Sequence, residues 1–197
     1  MGAQFVTDPI LIDLPTSVET ERLILRPPQA GDGAVLHAAV ADSLVELRRF
    51  LASLPWVAVE PSVESSELYC RNAQANFISR KDLPFLVFEK SSGQLLGATG
   101  LHRTVWSVPK TEIGYWGRTS RCGNGFTSEA VEAISTYAFS NLRAVRLEII
   151  TDEENEPSRR VAERCGFVLE GILRSERRAP DGKLRNTCIY ARLPPAT

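Results

Sequence analysis

Apolar positions recur along the chain with two periods, and the change from one to the other divides it. "TERLILRPP" alternates apolar and polar residues and predicts a first strand over 22–26, stopped by Pro27 and Pro28. Upstream, "PILIDLP" is a short apolar run between prolines, read as an extended arm or an edge strand. The period then lengthens. Val35, Leu36, Ala39, Val40, Leu44, Leu47, Phe50 and Leu51 stand at helical spacing and predict a helix over 30–53, broken by "LPW". A second helix is expected over 61–80, with Pro61 near its first turn and Leu68, Ala75 and Ile78 on its apolar side.

From Pro84 the short period returns. "FLVFEK", the turn "SSGQ" and "LLGATGLHRTV" predict a hairpin, and "KTEIGYW" a further strand. A helix over 126–140 buries Phe126, Ala130, Val131, Ile134, Tyr137 and Ala138. "VRLEII" is a strand. "NEPSRRVAERCGF" is a helix with Asn155 as its cap, Pro157 in its first turn and Gly166 as its terminator. "VLEGILRSERR" and "KLRNTCIYARL" close the chain as a hairpin across "PDGK". With no linker and no repeat, the pattern predicts one α/β (α+β) domain around a mainly antiparallel sheet: an arm over 1–19, the domain over 20–193 and a tail over 194–197.

Between the strand "EIGYW" and the helix lies "SRCGNGFTSEAVEAI", which puts two glycines directly before a helix start. Such a loop aims unpaired backbone N–H groups and the positive end of the helix dipole at one point, where a phosphate or pyrophosphate fits. A plain tight turn explains the glycines equally well. The spacing is neither G-x-x-x-x-G-K-[ST] nor G-x-G-x-x-G, which excludes a nucleotide P-loop and a dinucleotide fingerprint.

Composition removes other classes. The 197 residues suffice for a real core, and 43% hydrophobic with 24% charged residues is ordinary for a soluble globular protein. Net charge is −1, so the electrostatic footprint of a nucleic-acid binder is missing. Cys70, Cys122, Cys165 and Cys188 form no C-x-x-C pair, and with only His37 and His102 beside them no metal site is expected. Four free thiols, no basic-then-apolar leader and no apolar run of membrane-spanning length are read as a cytoplasmic protein with no membrane partner. Val6 in "MGAQFV" fails the myristoylation pattern. Among 23 basic residues only Lys81, Lys90, Lys110 and Lys183 are lysines, a bias expected of a GC-rich bacterial genome.

"EIGYWGRTSRCGNGFTSEA", a strand, and then "NEPSRRVAERCGF" resemble the GNAT acetyltransferases, and within them the RimJ/RimL-like branch, over nearly the whole chain. The resemblance implies a splayed sheet and acetyl-CoA or coenzyme A as co-substrate. It implies direct acetyl transfer to an amine, either a protein N-terminus or a small molecule, and leaves a homodimer open. In that family a loop R/Q-x-x-G-x-G/A holds the coenzyme A pyrophosphate through its amides. The matching positions are Cys122, Gly123, Asn124, Gly125, Phe126 and Thr127, with Cys122 in place of Arg or Gln and Thr127 in place of Gly or Ala. The resemblance places the pantetheine arm along the backbone of Trp116, Gly117 and Arg118, near Asn155. Arg118, Arg121, Arg159 and Arg160 are phosphate candidates.

Acetyl transfer needs a base for the amine and an acid for the departing thiolate. Glu112, in the strand where several family members carry a catalytic glutamate, is the base candidate; a salt-bridged strand glutamate is the bland alternative. Trp116 lies four residues away, roughly 13 Å at strand rise, so Glu112 is expected to act through a water. Ser158, in the N-x-x-S pattern, is the acid candidate by resemblance, against a serine that only satisfies helix-start amides. Tyr115 is read as core. His102 is weighed as an acceptor-pocket residue against a structural one, and Trp56 as packing that borders the acceptor mouth. The alternative function is a non-catalytic acyl-CoA-binding or regulatory module.

Overall fold

Leu83–Glu89 carries apolar residues at consecutive positions, and such a strand is stable only where both of its faces are covered. The computed structural model, which describes residues 8–51, 55–179 and 181–195, gives it that place. One sheet of eight strands comprises β1 (Val18–Glu19), β2 (Leu23–Arg26), β3 (Leu83–Glu89), β4 (Leu95–Val105), β5 (Lys110–Gly117), β6 (Arg146–Asp152), β7 (Val168–Arg178) and β8 (Leu184–Arg192). Their order is β1-β2-β3-β4-β5-β6-β8-β7, antiparallel throughout except for β5 beside β6. Helices α1 (Gly33–Leu51), α2 (Pro55–Ala58) and α3 (Val63–Ile78) cover one face; α4 (Phe126–Asn141) and α5 (Glu156–Arg164) cover the other. Phe85 and Val87 pack with Ile113, Leu147, Ile149 and the Ala130, Ile134 and Tyr137 stripe of α4. Leu86 faces the opposite way, with Ala39, Val40, Leu44 and Cys70. The α/β expectation with a mainly antiparallel sheet holds.

Local chemistry sets the helix ends. Ser62 and Ser65 form a reciprocal capping box at α3, so Pro61 stands near the first turn, directly before the cap. Asn155 Oδ1 accepts from the Ser158 amide at α5. That helix ends where Gly166, at φ +73°, lets its own N–H reach Glu163 C=O and that of Phe167 reach Ala162 C=O.

Three expectations fail locally. The run "PILIDLP" begins with a 3-10 turn, Pro9–Leu11, capped by Asp8, and the edge strand lies further on at Val18–Glu19. The buried face of α3 is Ser66, Cys70, Ala73 and Phe77, while Leu68, Ala75 and Ile78 face outward. Small residues won there because α3 lies close against α1: a Cβ on Gly33 would come within 2.6 Å of Glu67 Cβ. Val35 of α1 is likewise exposed. The expected helix end at Ser53, the Pro180 corner of the last hairpin and the first and last residues of the chain lie outside the described residues.

The feature that builds a site is the parting of β5 from β6. Their ladder comprises Lys110↔Arg146, Thr111↔Leu147 and Glu112↔Glu148. Beyond it β5 continues along β4 to Gly117, and β6 along β8 to Asp152. The wedge opens toward the C-terminal ends of both strands, where β5 runs into the glycine loop and β6 into the start of α5.

Candidate active site

Gly123 and Gly125 adopt φ of +84° and +79°, the left-handed region that glycine enters without steric penalty. Gly125 is the N-cap of α4 and, having no side chain, leaves the helix start uncapped. Among the described residues, the amides of Gly123 to Ser128 find no acceptor; the next one, Glu129 N–H, bonds Gly125 C=O. A run of free N–H groups at the positive end of a sixteen-residue helix is an anion cradle. These residues therefore fit a pyrophosphate. Thr127, bulkier than the family pattern, turns its Oγ1 toward Gly117, where a Cβ would stand only 2.9 Å away. Glycine at 117 makes room for threonine at 127. Cys122 donates its S–H to Arg118 C=O at 3.3 Å, and burial raises its thiol above the ordinary range.

The arginines expected at phosphates have protein partners. Arg118 binds Asp42 at 2.7 Å, and Arg121 binds Glu89 at 2.7 Å and also Gln94. Arg159 donates to the Tyr190 hydroxyl at 3.0 Å and to Glu153 C=O, and Arg160 pairs with Glu156. The carboxylate partners neutralise Arg118, Arg121 and Arg160, Arg159 has only neutral acceptors, and the Arg118 and Arg121 pairs anchor the loop. Asp42, which also accepts from Ser120 Oγ, is held below the usual carboxylate range by those contacts. Arg22, which the sequence did not single out, bonds Glu129 at 2.6 Å and Asn124 C=O at 3.1 Å while its guanidinium lies 4.6 Å from the centre of the Phe126 ring.

At the wedge, Ser158 sits in the first turn of α5. Tyr115 reaches it across the wedge, with its hydroxyl 2.9 Å from Ser158 C=O and 3.0 Å from Ser158 Oγ. Burial pushes the Tyr115 phenol far above its ordinary value, so it stays protonated. The sequence reading placed Tyr115 in the core because it alternates away from Glu112; a contact made across 43 residues leaves no local trace. Gly97, Thr99, Tyr115, Trp116, Phe126 and Thr127 line a cleft at this point.

Glu112 lies on the other face of β5 with both carboxylate oxygens on Arg103, one at 2.9 Å from Nε. Its cross-strand partner is His102, whose Nδ1 stands 2.8 and 3.0 Å from the two carboxylate oxygens of Asp82. Trp116 and Trp56 of α2 meet at 6.2 Å between ring centres on this face. Among the described residues, no three of His, Cys, Asp or Glu converge as a metal site would require. The Cys165 thiol is pushed up to about 11 by burial first, and it donates to Ser128 C=O.

The acetyltransferase (GNAT) domain family matches residues 22–168. The chain is 26% identical over 157 residues to the uncharacterized N-acetyltransferase YoaA of Bacillus subtilis (strain 168), covering 80% of this chain and 85% of that protein. It is 30% identical over 109 residues to the ribosomal-protein-serine acetyltransferase of Escherichia coli (strain K12), covering 55% and 59% respectively. In fold it is similar to RimL, the ribosomal L7/L12 alpha-N-protein acetyltransferase, in complex with coenzyme A: TM-score 0.80 at 22% identity, over 91% of this chain and 97% of that one. With the family match across about three quarters of its length and the splayed sheet, the chain belongs to the GNAT acetyltransferase family and is an acetyl-CoA-dependent N-acetyltransferase.

Proposed function

We propose that the protein transfers the acetyl group directly, without a covalent enzyme intermediate, to the amine of a protein N-terminus or of a small molecule in a bacterial cytoplasm. The observation that carries this reading is the run of unpartnered amides from Gly123 to Ser128 at the mouth of the β5–β6 wedge. In it, those amides hold the pyrophosphate and the backbone of Trp116, Gly117 and Arg118 borders the pantetheine arm. The side chains of Arg118, Arg121 and Arg159 keep loop and helix in place through their protein partners, and Asn155 fixes the start of α5.

Tyr115 and Ser158 are placed to return a proton to the departing thiolate. Two buried thiols argue against a thioester on the enzyme: burial raises Cys165 to about 11 and Cys70 to about 12, so neither supplies thiolate near neutrality. The base is less simply assigned, because both carboxylate oxygens of Glu112 are engaged by Arg103.

The test is release of free coenzyme A from acetyl-CoA across peptides with free N-termini, amino acids, polyamines and aminoglycosides. Turnover with one of these classes and a mass gain of one acetyl group on the amine are expected. Coenzyme A binding without transfer to any amine would reduce the protein to a binding module.

A further inference from the structure

His102 occupies a seat that two glycines make for it. Gly100 and Gly114 face each other across β4 and β5, and a Cβ on either would come within 3.0 Å of His102 Nε2. The imidazole therefore lies over that pair and leans along the strands from its own register position toward Ala98↔Trp116. That leaves one two-residue step, roughly 7 Å at strand rise, between the glycine pair and Trp116.

The ring is oriented from behind. Asp82, on the connection between α3 and β3, meets Nδ1 with both carboxylate oxygens. An ionised carboxylate only accepts, so the neutral form of the ring carries its hydrogen on Nδ1 and its lone pair on Nε2. Among the described residues Nε2 has no hydrogen-bond partner, and the side chain keeps 30% of its surface open. The charged and titratable groups around the pair are Asp82 itself, Glu112 across the strand, Arg103 next along β4 and Tyr69 of α3. Burial and then the Asp82 charge raise the Tyr69 phenol to about 12. Arg103 engages both oxygens of Glu112, whereas His102 Nε2 beside it has no hydrogen-bond partner among the described residues.

We propose that His102, held by Asp82, is the general base that deprotonates the acceptor amine, and that Glu112 is not; this rests on the acetyltransferase reading above. The ammonium gives one proton to Nε2, which passes it to solvent. The freed lone pair forms the C–N bond at the thioester carbonyl and the C–S bond breaks. The sulfur leaves with the electron pair and takes up the second N–H proton by way of Ser158 and Tyr115. Asp82 acts as a positioning residue.

The experiment measures kcat/KM against pH for the whole protein and for His102→Gln, His102→Ala, Asp82→Asn and Glu112→Gln, with one amine confirmed by mass. Thermal stabilisation by coenzyme A in each variant reports an intact fold and cofactor site. His102→Gln is expected to lose about 10²–10⁴-fold near neutrality. The loss should shrink as rising pH deprotonates the amine in solution. Added imidazole should partly restore His102→Ala, Asp82→Asn should fall between parent and His102→Gln, and Glu112→Gln should stay within a few-fold of the parent. A His102→Gln profile that matches the parent, or lies below it by one constant factor with no imidazole rescue of His102→Ala, overturns the assignment while the acetyltransferase reading stands. A pH-dependent loss in Glu112→Gln instead moves the base to Glu112. A parent that binds coenzyme A yet acetylates no amine overturns both.

Discussion

The Tyr115 hydroxyl lies 2.9 Å from the carbonyl of Ser158 and 3.0 Å from its Oγ, two contacts for one phenolic proton. A carbonyl oxygen can only accept, so Tyr115 donates to it, and the second contact is then a bond from Ser158 O–H to the phenol oxygen. The two hydroxyls are linked between β5 and the first turn of α5, and Ser158 O–H delivers its proton by turning from the phenol oxygen to the sulfur. A thiolate needs its proton late in the reaction, so removing either hydroxyl should act on kcat more than on the KM for acetyl-CoA. Ser158→Ala and Tyr115→Phe are each expected to lower kcat by about 10²-fold. The double variant should lose much less than the product of the two, because both break one link. Independent, multiplying losses would mean separate roles, and unchanged kcat in Ser158→Ala would return the serine to a helix-start residue.

The cradle at α4 gives a binding prediction free of catalysis. Gly125 takes φ +79° and its absent side chain faces outward, with Arg22 the nearest neighbour at 3.6 Å from a built Cβ. Valine there both strains the backbone and screens the amides. At a hundredfold excess over its dissociation constant, coenzyme A should stabilise the parent by about 2.7 kcal/mol. Gly125→Val should show little of this. A melting shift of equal size in both proteins would place the pyrophosphate elsewhere.

Elements whose causes are local could be read from the chain. The cap at Asn155, the terminator at Gly166, the hairpin at "SSGQ" and the glycine loop each depend on a few neighbouring residues, and each stands where its spacing placed it. What was not legible depends on distance. The face of α3 that packs on α1 is chosen by how closely two helices approach, and small residues at Ser66 and Ala73 look neutral in a hydrophobicity pattern. Tyr115 on Ser158, Asp82 on His102 and Arg103 on Glu112 are pairings made by the tertiary fold, between a strand and a helix start, a strand and a connection, and two neighbouring strands. The last of these spans only nine residues, yet it still depends on the β4–β5 register. Arg103 reaches Glu112 at a register break where its own φ is +52°. Candidate residues were therefore legible as types on strands and helices, but not as partners.

Thiol chemistry separates direct transfer from a route through cysteine. Cys122 is exposed, whereas Cys70, Cys165 and Cys188 are buried. Desolvation of the sulfur raises all four thiols, that of Cys122 included although the residue as a whole is exposed, so each is slower than an ordinary cysteine. Maleimide at pH 7 should label Cys122 alone in the folded protein. Cys122→Ala and Cys165→Ala should each keep turnover within a few-fold of the parent. Loss of more than about 10²-fold in either would reinstate a covalent intermediate.

Glu129 joins the start of α4 to the first strands, and its protonation should show in the acid limb of stability. Its carboxylate accepts from Thr20 Oγ1, from the Arg22 amide at 3.1 Å and from the Arg22 guanidinium. Burial pushes its pKa up, but those contacts outweigh burial and hold it below the ordinary glutamate value. A carboxyl that is lowered on folding binds its proton more weakly in the native state. The stability it supplies is therefore fully present above the unfolded value, about 4.3, and is lost as pH falls through the folded one. Arg22 is partly exposed, which screens the pair, so Glu129→Gln should cost about 1 kcal/mol near pH 7. In a chain of this size that is roughly 2–4 °C in Tm. The parent's advantage should stay constant from pH 7 to about 5 and close progressively below the ordinary glutamate range, as both proteins come to carry a neutral group. Tm against pH for the two proteins reads this directly. A gap that persists undiminished at pH 3 would mean that shape at Glu129, rather than its charge, holds α4 against β1 and β2.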